Sequence, residues 1–428
     1  MRERMKSAAL AVLLVTMLLL LYLSLTLGID SGEKILARIF GVSAPSEEVE
    51  LQPRAAVELR ARAVCTPQGV RMPQSAAEKD EMSNAVSAIY AEAVGSAGEA
   101  QAITRQQYLN LLRAPAVYFG FDTELPLFLL RAWVGLERGQ RGESRLCNLV
   151  VAAAEEQVVM AWYDTGAGEY RMSATAAAVD RLTRLCEGWS GSNAVFAFQD
   201  GGFAALCADE PVLLAVSEEK IYSVRPLELA QTGELSREVL TSFDLNPYLA
   251  RVYEESGGEM VYVEGYNVLR VNGQGDLVYT AGAAGQGLSL GVSEAEADDQ
   301  SLIVEGVRAL LSGLNRQVGA GGVYSFNEMS AGKDGELTLL FDLTLDGRPV
   351  VSKRPAAHVT VHSGRVTYLR IAPRRFEQAG SRSILPIRQA AAVLQGRSGL
   401  RLSVRYEEKQ DGLLIPALYS TEEPYGVE

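Results

Sequence analysis

Residues 336–347 read ELTLLFDLTLDG, and this stretch decides the fold of the C-terminal part of the chain. Apolar residues occupy every second position, at Leu337, Leu339, Phe341, Leu343 and Leu345. Such strict alternation is typical of a strand with one buried and one exposed face. The Asp346-Gly347 pair that follows predicts a type I′ turn into a second strand. The sequence therefore predicts an antiparallel sheet with one face that must be covered.

The sequence on either side of this strand predicts the helix and the further strands that would complete and cover the sheet. Residues 297–316 predict a helix with one apolar stripe, formed by Ile303, Val307, Leu310 and Leu314. Downstream, HVTVH and RVTYLRI predict a hairpin around Ser363-Gly364, then a helix over 383–395 and two further strands. A helix laid on one face of an antiparallel sheet is the layered arrangement that this order favours.

The N-terminal half repeats the mixture of helices and strands. Residues 75–94 predict a helix whose buried face carries Met82, Val86, Ile89 and Ala93. Further helices over 104–112, 125–136 and 176–189 alternate with short strands, the first at 56–64. Residues 260–272 and 276–281 predict a hairpin around Asn272-Gly273 and Gly275. The predicted fold class is α+β, with antiparallel sheets packed with helices.

A membrane anchor precedes this region. Residues 8–27 read AALAVLLVTMLLLLYLSLTL and contain no charge, and about 20 apolar residues in a helix span the hydrocarbon core of a bilayer. Arg2, Arg4 and Lys6 stand before the segment, which predicts a cytoplasmic N-terminus and an extracytoplasmic remainder. A cleaved signal peptide is the alternative, but its apolar core is shorter and ends in a small-x-small site that is missing here.

These features predict six regions. They are a cytoplasmic tail (1–7), a single transmembrane helix (8–28), a stalk (29–55), a first α+β unit (56–230), a middle hairpin unit with its connector (231–295) and a C-terminal helix-and-sheet unit (296–428). The Gly/Ala-rich run AGAAGQG at 281–287 and the acidic run at 293–299 mark the last boundary, where we expect limited proteolysis to cut.

The composition argues against nucleic-acid binding and against a metal site built from histidine or cysteine. The formal net charge of −13 provides no electrostatic footprint for nucleic acid. The two histidines, His358 and His362, are four apart in a predicted strand, roughly 13 Å, which is too far to share a metal, and we expect both at the surface. The four cysteines, Cys65, Cys147, Cys186 and Cys207, show no CxxC spacing; buried free thiols and disulfides both stay open.

The sequence contains no convincing catalytic or ligand-binding motif. GWSGS at 188–192 half-resembles a nucleophile elbow around Ser190, but its last position is serine and few bases are available. NGQGDL at 272–277 lacks the third glycine and the helix of a nucleotide fingerprint, so a turn explains it. In the acidic run, Asp298 or Asp299 is expected to cap a helix rather than bind a cation. We predict no catalytic, cofactor-binding or metal site.

Two stretches resemble the YycH family. RAPAVYFGFDTELPLFLL at 113–130 resembles its strand, turn and helix, and residues 242–281 resemble its hairpin block, with VEGYNVLRV followed by DLVYTA. Tyr266 stands where that family usually has a small polar residue. The C-terminal unit is similar to the PepSY-like modules of YycH and its relative YycI.

The resemblance implies regulation rather than catalysis. YycH-type proteins regulate the sensor histidine kinase YycG, also called WalK, which controls cell-wall metabolism, and YycI is their companion. The chain is therefore expected to act on a two-component system through its membrane helix and ectodomain. An accessory to an envelope enzyme, or a protease-associated chaperone or inhibitor, is the alternative. In the membrane helix the candidate partner-binding stripe is Ala9, Leu13, Thr16, Leu20 and Ser24.

Overall fold

The computed structural model describes residues 59–134, 144–189, 191–200, 211–215, 218–225, 227, 229, 235–282, 287–293, 296–383, 401–409 and 412–421. All of them belong to one unit, Val49–Glu428. The predicted anchor, the stalk, Ser190, Cys207 and nearly all of the predicted helix 383–395 lie outside the described residues. None of the helices within these ranges has the length and hydropathy to cross a membrane.

The N-terminal half forms an antiparallel sheet, the small sheet, with nine strands among the described residues. These are β1 (Leu59–Thr66), β2 (Gly69–Arg71), β3 (Gln101–Ile103), β4 (Ala116–Pro126), β5 (Arg145–Ala154), β6 (Gln157–Asp164), β7 (Glu169–Ala174), β8 (Ala194–Phe196) and β9 (Leu213–Ala215). Their spatial order is β3-β7-β6-β5-β4-β1-β2-β8-β9.

Helices cover both faces of the small sheet, which explains why its central strands are apolar on both sides. The helices of this half are α1 (Ala76–Ser96), α2 (Arg105–Leu111), α3 (Leu127–Trp133) and α4 (Val179–Glu187). On one face α1 packs with α4, and its predicted stripe of Met82, Val86, Ile89 and Ala93 is fully buried. On the other face α2 buries Tyr108 and Leu109 against β5.

The C-terminal half forms the large sheet, with fourteen strands among the described residues. They are β10 (Glu218–Arg225), β11 (Arg251–Glu255), β12 (Glu259–Glu264), β13 (Asn267–Val271), β14 (Leu277–Thr280), β15 (Leu288–Ser289), β16 (Val323–Ala331), β17 (Glu336–Leu345), β18 (Arg348–Val351), β19 (Ala357–His362), β20 (Arg365–Ile371), β21 (Arg375–Ser383), β22 (Arg401–Glu408) and β23 (Leu413–Thr421). The main path runs β11-β12-β13-β14-β20-β19-β17-β18-β22-β23-β10-β21, with β15 on β20 and β16 on β17. Within the described ranges, β18 and β22 pair in parallel and the other strand pairs are antiparallel.

The stretch 336–347 behaves as its pattern predicts. In β17 the five alternating apolar residues are buried. Asp346 and Gly347 both have positive φ, 50° and 75°, as a type I′ turn requires. Ser363 and Gly364, at 48° and 70°, form a second turn of this kind between β19 and β20. Both predicted hairpins are therefore confirmed.

Helix α6 (Gln300–Gln317) covers the large sheet, and α5 (Arg237–Ser242) packs beside it. Ile303, Val307 and Leu314 of the predicted stripe are buried, but Leu310 is only half-buried and Leu311 points into the core instead. The broader buried face arises because α6 contacts α3, α5 and β16.

The two sheets share one hydrophobic core. Buried residues of α1, β4, α3, α6 and β17 form a single cluster. Where the sheets meet, the Thr123 hydroxyl of β4 donates a hydrogen bond to the Asn327 carbonyl oxygen of β16 at 2.5 Å. Apolar packing and specific polar contacts therefore hold the two halves of the chain together.

Strand pairing crosses the predicted unit boundaries. The boundaries themselves stay predictions, but β14 of the predicted middle unit pairs with β20 of the predicted C-terminal unit. Strand β10, placed by its sequence in the first unit, pairs with β21 and β23 of the large sheet. The predicted hairpin strand 260–272 is also wrong as a single strand, because Gly265, with φ of 60°, turns the chain between β12 and β13.

We predict that Asp299→Ala lowers the free energy of unfolding by about 0.5–2 kcal/mol, as lost N-caps do. The Asp299 carboxylate caps α6 by accepting hydrogen bonds from the backbone N–H groups of Ser301 and Leu302 at 3.0 and 3.3 Å. Asp298 is its exposed neighbour, so Asp298→Ala makes the same charge change without removing the cap. Denaturant unfolding of the two variants measures the difference, and equal losses would contradict the capping role.

Candidate interaction surface

The motifs that suggested chemistry form ordinary structural features where the structure describes them. In the 272–277 turn, Asn272 Oδ1 accepts hydrogen bonds from the backbone N–H groups of Gln274 and Asp276, each at 2.9 Å. Gly275 takes a positive φ of 83°, so the turn reading is confirmed. Within the described ranges, no group of three or more His, Cys, Asp or Glu side chains is arranged to hold a metal ion. That the chain lacks a catalytic site stays a prediction.

The histidines are less exposed than predicted. His358 and His362 lie on the same face of β19, opposite the buried Val359 and Val361, but both are half-buried. The His358 ring meets the ring of Tyr368 on β20 edge-on, with centroids 5.2 Å apart. Burial, together with the charge of Arg370, lowers the pKa of His358. His358 is thus a packing residue of the sheet.

Cys65, Cys147 and Cys186 are buried free thiols. Burial raises the pKa of the Cys65 thiol far above its usual range, and it raises that of Cys186 to about 12. A thiol must ionise to act as a nucleophile or to exchange disulfides. Cys65 and Cys186 therefore serve as core residues, and Cys147 is buried as well.

A half-buried acidic side chain, Asp342, lies at the junction of the two sheets. The Asp342 carboxylate of β17 accepts a hydrogen bond from Asn327 Nδ2 at 3.0 Å. Burial raises the pKa of Asp342 to about 6; the nearby Arg405 and the bond from Asn327 oppose the rise, and Asp122 on β4 adds to it. This group therefore changes charge near neutral pH, within the structure that joins the sheets.

The main exposed apolar feature of the described residues is one edge of the large sheet. We call it the β11 edge, and it consists of Tyr248, Leu249, Val252, Tyr253 and Tyr266. Tyr248, Leu249 and Tyr266 are 77%, 67% and 69% exposed, and Val252 and Tyr253 are about half exposed. Large apolar side chains grouped on a surface mark interaction sites more often than single ones do.

Local hydrogen bonds present Tyr248 and Leu249 in a fixed loop after α5. Asn246 organises this loop, because its side chain accepts from the Tyr248 N–H and its carbonyl oxygen accepts from the Leu249 N–H, at 2.9 and 3.0 Å. The Asn246 N–H in turn donates to the Glu264 carboxylate at the end of β12. The Arg237 guanidinium lies over the Tyr248 ring, 5.2 Å from its centroid. The loop is thereby tied to the β12–β13 turn.

Tyr266 is held at that turn. Gly265 supplies the positive φ of 60° that a two-residue hairpin loop needs at its first position. Gly282 allows the close approach of the neighbouring segment, because a Cβ at that position would lie 2.5 Å from the Tyr266 Cβ. Tyr266 therefore stands at the same end of the sheet as Tyr248 and Leu249.

Strand β11 completes the surface as the outermost strand of the large sheet. It pairs with β12 through five residue pairs without a register shift, from Arg251↔Val263 to Glu255↔Glu259. Its first four residues are exposed, so both faces are open to solvent. The sequence singles out Tyr266 as a departure from the family pattern, but RVYEE shows no alternation that would predict an edge strand.

The predicted partner-binding stripe of Ala9, Leu13, Thr16, Leu20 and Ser24 lies outside the described residues and stays a prediction. The β11 edge and the predicted stripe therefore belong to different parts of the chain.

Comparison with known proteins supports the fold. No family model matches the chain, and no curated protein matches it. Among solved structures, the fold is similar to that of YycH from Bacillus subtilis, with a TM-score of 0.53 over 87% of this chain and 94% of that one. The sequences are 10% identical, so the likeness concerns the fold. The expected α+β, YycH-like architecture is confirmed at that level.

Proposed function

We propose that this protein is a membrane-anchored regulator that modulates a two-component sensor histidine kinase controlling cell-wall metabolism. The observation that carries the proposal is the YycH-like fold, which extends over most of both chains. The resemblance of residues 113–130 and 242–281 to that family suggests the same role, although the two compared sequences are only 10% identical. Its partners would be the kinase itself and a YycI-like companion.

The arrangement of the chain suits regulation by contact. In this proposal the anchor at 8–28 places the protein in the same membrane as the kinase, with its N-terminus in the cytoplasm and its ectodomain outside. Exposed aromatic side chains at the β11 edge supply an ectodomain surface, since aromatic residues are enriched where proteins bind each other. Regulation of this kind requires a change in contacts and no bond chemistry by the regulator.

The membrane stripe gives the sharpest test. Small and hydroxylated residues allow close helix approach in lipid, and each hydrogen bond between membrane helices contributes about 0.6 kcal/mol on average. We expect the double variant Thr16→Leu, Ser24→Leu to associate with the kinase or the companion about fivefold to tenfold more weakly. The full chain, co-expressed with each partner, is measured by an in-membrane proximity assay.

Matched changes on the opposite helix face serve as controls. Leu14→Ala, Leu18→Ala and Leu25→Ala should leave association unchanged, and all variants should insert normally. Unchanged association in the double variant, with loss in the controls, would overturn the stripe. Capture of an envelope protease instead of the kinase would contradict the regulatory role itself.

A further inference from the structure

We propose that two copies of this chain pair through strand β11, so that the large sheet continues across a two-fold axis. Proteins usually protect an edge strand with proline, a bulge, charged side chains or very short length. Strand β11 contains no proline and pairs regularly with β12 over its whole length. Its three charged residues, Arg251, Glu254 and Glu255, include both signs, so they can attract a second copy in one register and repel it in another. Among the described residues, nothing pairs with its outer side.

Symmetry restricts how two such strands can pair. A two-fold axis normal to the sheet keeps each side chain on the same face in both copies. Successive side chains alternate faces, so residues directly opposite each other must differ by an even number of positions. Three central registers satisfy this rule, and they place Val252, Tyr253 or Glu254 opposite itself.

Charge selects among these registers. With Tyr253 opposite itself, Arg251 faces Glu255 of the second copy, and the symmetry repeats this pair on the other side of the axis. A shift toward Glu254 places two carboxylates against each other, which is unfavourable. A shift toward Val252 loses both Arg–Glu pairs. The selected register combines an aromatic pair at the axis with one opposite-charge pair on each side.

Arg251 and Glu255 can both form the ion pair between copies that this register requires. Arg251 is exposed and makes no ion pair with any residue that the structure describes. Glu255 accepts from Arg270 through Oε2 at 2.7 Å, which leaves Oε1 to face the arginine of the second copy.

The chain turns away on both sides of the strand, at Leu249 and at Gly257, so the pairing is confined to Arg251–Glu255. A strand pair of this length buries little area, and interfaces at the small end of the range are typical of weak complexes, so we expect a dissociation constant on the order of micromolar.

Charge reversal in a mixing experiment tests the pairing. Arg251→Glu and Glu255→Arg each place like charges opposite each other twice and should weaken self-association about tenfold. In a mixture of the two variants, a carboxylate faces a guanidinium at both flanking positions, so dimers should return. The full chain in detergent is examined by light scattering, with the detergent mass subtracted, from about 1 to 100 µM.

A cysteine variant tests whether Tyr253 lies opposite itself at the two-fold axis, and this test does not depend on charge. Tyr253→Cys should form a disulfide-linked dimer under mild oxidation, whereas Val252→Cys, displaced from the axis, should do so much more slowly. A wild-type chain that stays monomeric at the highest concentration would overturn the proposal. So would a dimer that both charge reversals leave intact, or an edge that only a different protein occupies. Kinase association is measured separately, so either proposal can fail alone.

Discussion

Replacing Arg308 with methionine should lower the free energy of unfolding by about 3–5 kcal/mol, because it leaves a buried carboxylate without its partner. Glu305 of α6 is fully buried, and Arg308 is nearly so. Arg308 Nε and Nη2 both donate to Glu305 Oε2, at 2.9 and 2.7 Å. Glu305 Oε1 accepts no hydrogen bond from any described residue, so the arginine is the main compensation for the buried charge.

A double variant separates the cost of the orphaned charge from any effect on the helix. Methionine favours helix about as well as arginine, so helix propensity changes little. Glu305→Met combined with Arg308→Met removes both charges and should recover most of the loss. Denaturant unfolding of the single and double variants gives the comparison. If the single variant were as stable as the wild type, the pair would contribute nothing.

Replacing Asp342 with asparagine should stabilise the fold by about 2–3 kcal/mol above pH 7 and leave it unchanged below about pH 4. The pKa of Asp342 is raised from 3.8 to about 6 in the folded protein. Between these values the unfolded chain releases the proton while the folded chain keeps it. The wild-type contribution is therefore fully present below about pH 4 and is lost as the pH rises through about 6. Asparagine approximates the protonated side chain at every pH.

Asp346, four residues further along the same hairpin, gives a control of opposite sign. Burial alone would raise its pKa, but hydrogen bonds from Tyr222 and Lys220 outweigh burial and lower it. Asp346→Asn should therefore destabilise the fold at neutral pH and have less effect in acid. Asparagine tolerates the positive φ at this position, so the turn itself is preserved. Unfolding curves at pH 4 and pH 8 decide the Asp342 prediction. The Asp346 prediction needs a further curve at about pH 2, because its contribution is lost only below the usual pKa of 3.8. Parallel pH profiles for the two variants would contradict both predictions.

The sequence predicts those elements whose own residues show a clear local pattern, such as strict alternation or a turn dipeptide. Strand β17 alternates without exception, and each of the two type I′ turns pairs a residue that tolerates positive φ with glycine. Strands β11, β16 and β21 are not predicted. Strand β21, RFEQAGSRS, lies at a sheet edge and packs one large apolar residue, Phe376, against the core, so its sequence shows no alternation. The N-terminal anchor stays a prediction from the sequence, because residues 8–28 lie outside the described residues.

The candidate surface is harder to predict because it depends on distant neighbours. Tyr248 and Tyr266 are eighteen positions apart, and the hydrogen bond from Asn246 to Glu264 ties their two segments together at one end of the sheet. The sequence of β11 gives no sign that its outer side is open, since that depends on the order of the whole sheet. Asp342 is similar: its alternating strand predicts an outward-facing residue, and the packing of β4 against β16 places it in the sheet junction.

The position of β10 between β21 and β23 has a consequence for how the protein is made. A chain is synthesised from its N-terminus, so β10 leaves the ribosome long before either of its neighbours exists. The small sheet finds its partners early, because its nine strands lie within residues 59–215. One edge of the nascent large sheet must wait until residues 413–421 have appeared. During that interval β10 offers unpaired backbone groups to other strands, so we expect correct assembly to depend on keeping β10 shielded until its neighbours have been synthesised.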